Sequence, residues 1–180
     1  DFEQEDAGGR RQGKTDPELL RRLQAGDERA WEQLLAEWQG PLYQYLCYAL
    51  PDTEQAQQAL SETMDAVIRS IPQYNGSVSL SAFFYSLATQ RVSFYYRKRK
   101  SRRKSRQHSG ANGVNSGGFK AILHTLPQRY RQALLLRYHL GLSVTEVAHI
   151  LGQSPHDTES LLAQGSRQLQ DAMGSAGLQQ

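Results

Sequence analysis

The chain has 180 residues, 38% of them apolar, and a net charge of +3. That size suits one or two small domains with thin cores. A single cysteine, Cys47, excludes an internal disulfide, and no apolar run reaches the roughly 20 residues of a membrane helix. The start carries no signal-peptide pattern, so a cytoplasmic protein with a buried, reduced structural thiol is expected.

Residues 1–15 are polar and glycine-bearing, a composition that predicts disorder. Asp16-Pro17 opens a helix with Leu19, Leu20 and Leu23 on one face, and Gly26 ends it. Asp27 caps the next, where Ala30, Trp31, Leu34, Leu35 and Trp38 fall at helical spacing. Gly40-Pro41 is expected to break the chain before a third face of Leu42, Tyr45, Leu46 and Ala49. Asp52 or Thr53 caps a long helix through Ala56, Ala59, Leu60, Thr63, Met64, Val67, Ile68 and Ile71, ended by Pro72. The turn-forming loop PQYNGSVS follows. Ser79 or Ser81 begins a helix with Leu80, Phe83, Phe84, Leu87, Ala88, Val92 and Tyr95 on one side.

That helix runs into residues 97–106, RKRKSRRKSR, which hold eight basic side chains and no acid. Without them the chain carries 13 basic against 18 acidic residues, so the positive field is a local device. The stretch to Gly118 reads as a flexible Gly/Ser-bearing tether. Beyond it, Leu126-Pro127 opens a helix that Gly141 ends. Ser143 with Glu146 forms a capping box, and Val144, Val147, Ala148 and Leu151 make a short apolar face. Gly152 stops that helix, Ser154-Pro155 starts another, and Asp157 sits in its first turn. Gly165 weakens this last helix by about 1 kcal/mol relative to alanine on propensity alone. Two short helices across a glycine turn read as a helix-turn-helix. The expected fold is all-α: a helical domain over 16–100, a linker over 101–118, a helix-turn-helix domain over 119–172, and a tail over 173–180.

Enzymatic constellations are poor. The five histidines are scattered, with no zinc spacing, and there is no phosphate loop or nucleophile elbow. Glu62 and Asp65, one turn apart, read as a solvated acidic face. No catalysis, metal or cofactor is expected. The basic block suits phosphate contact, with Gln90, Arg91, Arg97, Lys98, Arg99 and Lys100 as candidates. The aromatics beside it suit stacking on unpaired bases, with Tyr85, Tyr95 or Tyr96 on the outer face. Tyr74 and Asn75 in the loop are placed to receive an extruded base, with a plain Asn75-Gly76 turn as the alternative. In the helix-turn-helix, Ser143, Thr145, Ser154, His156, Thr158, Ser160 and Arg167 are the candidates for duplex contact.

These residues resemble a known family. GDERAWEQLLAEWQGPLYQYL, SETMDAVIRSIPQYNGSVSLSAFFYSLATQRVSFYYRKRK and LPQRYRQALLLRYHLGLSVTEVAHILGQS are together similar to bacterial RNA polymerase sigma factors of the extracytoplasmic-function group, over nearly all of 16–172. The resemblance implies a first domain that binds a coiled coil of the polymerase core, melts the minus-ten element and holds unpaired bases. Its second domain would read the minus-thirty-five duplex. It implies promoter DNA, core polymerase and an anti-sigma factor as partners, and places core contact on Gln58, Ser61, Glu62, Met64 and Asp65.

Several positions depart from the family pattern. Gln58 replaces an acid, Ser61 a glutamine, Met64 an aromatic, Phe83 a tryptophan and Gln90 an asparagine. In the recognition helix the usual basic positions fall on Glu159, Leu161, Gln164 and Ser166, which leaves Arg167. Two alternatives therefore stand beside a sigma factor. One is a sigma-like interaction module, acting as an anti-sigma decoy or a polymerase-bound regulator. The other is a helix-turn-helix regulator of duplex DNA.

Overall fold

The structure, a computed structural model, describes residues 17–105 and 118–175. The expected disordered start and the middle of the tether lie outside the described residues. Eight α-helices make up the described chain, with no strand among these residues. In order they are α1 (Pro17–Gln24), α2 (Glu28–Ala49), α3 (Thr53–Ser70), α4 (Leu80–Ser105), α5 (Phe119–Thr125), α6 (Gln128–Leu134), α7 (Val144–Leu151) and α8 (Pro155–Ser175). A 3₁₀ turn, Ile71–Gln73, follows α3, and a π-helical segment, Leu135–His139, extends α6. The first residues of the expected linker and of the expected tail are helical: α4 runs on to Ser105, and α8 runs to Ser175, with the rest of the tail outside the described residues.

The caps sit where short polar side chains meet unsatisfied helix N–H groups. Asp27 accepts from Arg29 and Ala30, and Asp52 accepts from Gln55 at 2.8 Å. Ser79 Oγ accepts from the Ala82 N–H, which starts α4. Ser143 and Glu146 form the full reciprocal box at the start of α7. Ser154 Oγ accepts from the Asp157 N–H at the start of α8.

The break expected at Gly40-Pro41 does not occur. Pro41 lies inside the continuous helix α2. Leu34 and Trp38 before it, and Leu42, Tyr45 and Leu46 after it, are all buried on one side. Burying such side chains is worth about 1.5–3 kcal/mol each, which outweighs the roughly 3 kcal/mol of an interior proline. Ile68 also departs from expectation: α3 buries Ala56, Ala59, Thr63, Ala66 and Val67 and leaves Ile68 45% exposed. Cys47 is half-buried rather than enclosed.

Helix α4 buries Ser81, Phe84, Tyr85, Ala88, Thr89 and Val92, a stripe at helical spacing. The rings of Trp38 and Phe84 meet edge-on at 4.6 Å, and those of Tyr45 and Tyr85 at 5.6 Å. The Tyr45 and Thr89 hydroxyls, both buried, share a hydrogen bond of 2.8 Å. Burial pushes the Tyr45 hydroxyl far above its ordinary range, so it stays protonated.

The second half packs onto the first. Leu123, Leu135, Leu136, Leu142 and Val147 join the same apolar cluster as the residues of α2, α3 and α4. A separate cluster of Leu126, Tyr130, Ala133, Leu134, Leu161 and Leu162 holds α6 to α8. Gly165 belongs there for a reason propensity does not capture. A Cβ at this position would lie 3.3 Å from Tyr130 Cβ and 3.4 Å from Leu134 Cγ. The glycine thus sets how closely the two helices approach.

Two stability effects are expected. Tyr45→Phe strands the Thr89 hydroxyl and should lower the unfolding free energy by about 1–3 kcal/mol, measured in urea; adding Thr89→Val should restore part of it. Gly165→Val should destabilise by about 1–3 kcal/mol through overpacking against Tyr130.

Candidate nucleic-acid and polymerase interface

Helices α3 and α4 bring together the two sets of candidates that the sequence keeps about 30 residues apart. Gln58 and Glu62 of α3 line one cleft, of about 80 Å³, with Arg91, Phe94, Tyr95 and Lys98 of α4. Gln58 Nε2 donates to Glu62 Oε1 at 3.1 Å. Arg91 Nε is buried with no hydrogen-bond partner among the described residues. Gln58, Ser61 and Asp65 are exposed along the outer face of α3, with Glu62 and Met64 half-buried. Ile68 continues that face one turn on, and it is an apolar member that periodicity alone assigned to the core.

Beyond the cleft, Gln90, Arg97 and Lys98 are exposed and Arg99 is half-buried. No acid lies within ion-pair distance of these cations among the described residues; the pairs present are Arg21–Glu18 and Arg22–Asp27, on and beside α1. The Lys100 side chain lies outside the described ones. The end of α4 therefore presents cations whose charge no neighbouring carboxylate cancels.

Two aromatic expectations are corrected. Tyr85 is not on the outer face; only 5% of it is exposed, and it packs between Trp38 and Tyr45. Tyr74 is 6% exposed, its ring lies 4.7 Å from that of Phe83, and its hydroxyl donates to the Val78 carbonyl. It fixes the loop instead of offering an open ring. Asn75 Oδ1 accepts from the Ser77 N–H, so the plain turn is the one formed. Tyr95 is half-buried, edge-on to Tyr96 at 5.2 Å. The open ring is Phe94, 51% exposed at the rim of the cleft. Its signal was its place off the stripe of Phe84, Ala88 and Val92.

In the second half, α7 and α8 form the expected helix-turn-helix, with Gly152 at φ 66° in the turn. Thr145, His156, Ser160 and Arg167 are exposed. Ser143 and Ser154, also exposed, are occupied as caps. Thr158 is corrected: it is fully buried, and its hydroxyl donates to the Ser154 carbonyl. Asp157 and Glu159 are exposed beside them, so the opening turns of α8 carry negative charge.

Contacts between the halves run along α4 and the end of α2. Ser79 Oγ donates to Glu146 Oε1, and this bond with those from Ser143 holds the Glu146 carboxyl below its ordinary range against the opposing effect of burial. Gln128 Nε2 donates to Ser93 Oγ at 3.4 Å. Arg131, 3% exposed, lies 5.1 Å from the Tyr96 ring centre and donates to the Leu123 and Leu126 carbonyls. His124 Nε2 meets the Tyr48 carbonyl at 3.0 Å. Its imidazole is pushed down to about 4, first by burial and then by the charges of Arg131 and Lys120.

Two family models match the chain: sigma-70 region 2 over residues 34–102, and sigma-70 region 4 over residues 118–169. The chain belongs to the sigma-70 family. The two regions coincide with the α2–α4 and α5–α8 halves. Among curated relatives, an extracytoplasmic-function RNA polymerase sigma factor, BldN of Streptomyces coelicolor, is 23% identical over 168 residues. The match covers 84% of this chain and 63% of that relative, so the chain spans less than two thirds of its length. Two solved structures share the fold. CnrH, in complex with the cytosolic domain of CnrY, matches with a TM-score of 0.70 at 19% identity, over 87% of this chain and 96% of that one. The sigma factor RpoE of Bartonella quintana, in complex with the anti-sigma factor NepR, matches with a TM-score of 0.69 at 18% identity, over 79% and 96%. No described helix of this sigma-70 family protein is long and apolar enough to cross a membrane.

The His124 shift sets a pH dependence. Above about 6.5 the imidazole is neutral whether packed or free. Between about 6.5 and 4 the unfolded chain takes up a proton that the packed one refuses. Stability should therefore fall as pH drops through this window and level off below it. His124→Gln should flatten that part of a urea-midpoint profile measured from pH 7.5 to 4.5.

Proposed function

We propose that this chain is a sigma factor: it directs core RNA polymerase to promoters and helps melt the DNA there, without catalysing a reaction itself. The observation that carries this is the cleft shared by α3 and α4. One wall offers Gln58 and Glu62, continuous with Ser61, Met64, Asp65 and Ile68 for a polymerase surface. The other offers Arg91, Phe94, Tyr95 and Lys98, continuous with Arg97 and Arg99 and followed in sequence by Lys100, for unpaired bases and their phosphates. A protein that holds melted DNA against polymerase needs both on adjoining helices. Thr145, His156, Ser160 and Arg167 would approach duplex DNA, with Ser143 and Ser154 acting as caps.

One observation favours a second reading. Asp157 and Glu159 at the opening of α8 face solvent, and phosphates would be repelled there. A sigma-like module bound by an anti-sigma factor or riding on polymerase fits such a helix better than a reader of duplex DNA does. An anti-sigma factor is a proposed partner on either reading.

The deciding experiment is binding and in vitro transcription with core polymerase on a promoter library. Binding with discrete start sites supports the sigma reading. Binding without initiation supports the second, and no binding removes the first. With the sigma reading, replacing Arg97, Lys98 and Arg99 together by alanine should reduce the slope of log affinity against log salt for single-stranded promoter DNA. The expected reduction is about 2, at roughly 0.7 per phosphate contact.

A further inference from the structure

A second cavity, of about 380 Å³, lies between the two halves. α4 supplies one wall, with Gln90, Ser93 and Arg97, and the second half supplies the other, with Arg129, Gln132 and Leu161. The volume falls in the range of small-molecule sites. Two features set it apart from a packing gap. Its lining holds two arginines and no acid, and neither arginine has an acidic partner among the described residues. Arg129 is held in place, 4.5 Å above the Tyr130 ring and donating to its hydroxyl, and a guanidinium so held keeps further N–H groups free.

The second feature is Gln132, 5% exposed. Its Oε1 accepts from Gln128 Nε2 at 3.3 Å, but its own Nε2 has no partner. A buried amide donor left unpaired costs about as much as a lost hydrogen bond. Gln132 lines the space together with the two arginines, whose N–H groups call for acceptors; its own Nε2, closed off from solvent, meets a ligand acceptor once the amide turns toward the space. Ile150, Leu151 and Leu161 line the same space with apolar surface. Gln90 and Gln153 add side chains that both donate and accept, as the edge of a nucleobase does.

We propose that this cavity binds a small phosphorylated ligand of nucleoside-monophosphate size. The phosphate lies between Arg97 and Arg129 and accepts from Gln132, and the base packs on the leucines and isoleucine. Because both halves supply the walls, the ligand binds only while they are docked, and it favours docking by its whole affinity. Binding does not depend on the sigma reading. On that reading, the ligand would oppose the separation needed to reach two promoter elements at once.

Thermal unfolding and calorimetry of the full chain with AMP, GMP and inorganic phosphate test this. The expected result is a raised midpoint and a measurable Kd for at least one nucleotide, with phosphate at least tenfold weaker. Amide exchange should slow in α4 and α7 together. Arg129→Gln should weaken binding at least tenfold. Gln132→Leu, which removes the unpaired donor in nearly the same shape, should leave the free protein as stable or more so, yet remove tight binding. A loss of binding with intact stability thus separates a ligand-binding role from a structural one. No binding by either nucleotide overturns the proposal. So does phosphate binding as tightly as nucleotide, or binding that both variants leave unchanged.

Discussion

The constraint on which the rest depends is that α4 is packed from two sides. One stripe, through Phe84, Tyr85, Ala88 and Val92, closes the core of the first half against Trp38 and Tyr45. Another side receives α7 and the residues around Arg131 and Gln128. What remains open is the strip toward α3 and the basic end. The proposed functional surface is the part of α4 that neither core claims, which is why Phe94 and Lys98 are exposed while Tyr85 is not.

The interface between the halves is built from mixed materials. Leu135, Leu136, Leu142 and Val147 supply apolar burial, the largest favourable term. Against it stands Arg131, whose charge is desolvated without an acidic partner and whose ionised form burial disfavours. Two carbonyls and the Tyr96 ring offset that only in part. An interface with such a group inside it holds, but with less margin than an all-apolar one of equal area.

The second half shows family membership and surface chemistry pulling apart. The capping box, the Gly152 turn and the close α6–α8 approach at Gly165 keep the helix-turn-helix geometry. The charges on the exposed start of α8 do not follow the basic pattern expected of a helix that faces phosphates. Geometry is held by a few caps and small residues, whereas surface charge is free to change without disturbing them. The fold therefore carries the family's signature further than the reading surface does.

Local chemistry was legible in the sequence because each signal acts over three or four residues. Asp27, Ser143 and Ser154 were readable at their helix starts, and Asp52 and Ser79 each as one of two candidates, since a short polar side chain meets helix N–H groups wherever the chain lies. The all-helical class, the helix-turn-helix and the basic end of α4 followed in the same way. The tertiary structure alone decided which apolar faces were core. It carried α2 straight through Pro41, because burial on both sides outweighs one missing hydrogen bond. It sank Tyr74, Tyr85 and Thr158 and raised Phe94 and Ile68, because burial depends on partners far away in the chain. It also made Gly165 a packing residue and Gln132 an unpaired donor, roles that exist only once α4, α6 and α8 lie against one another.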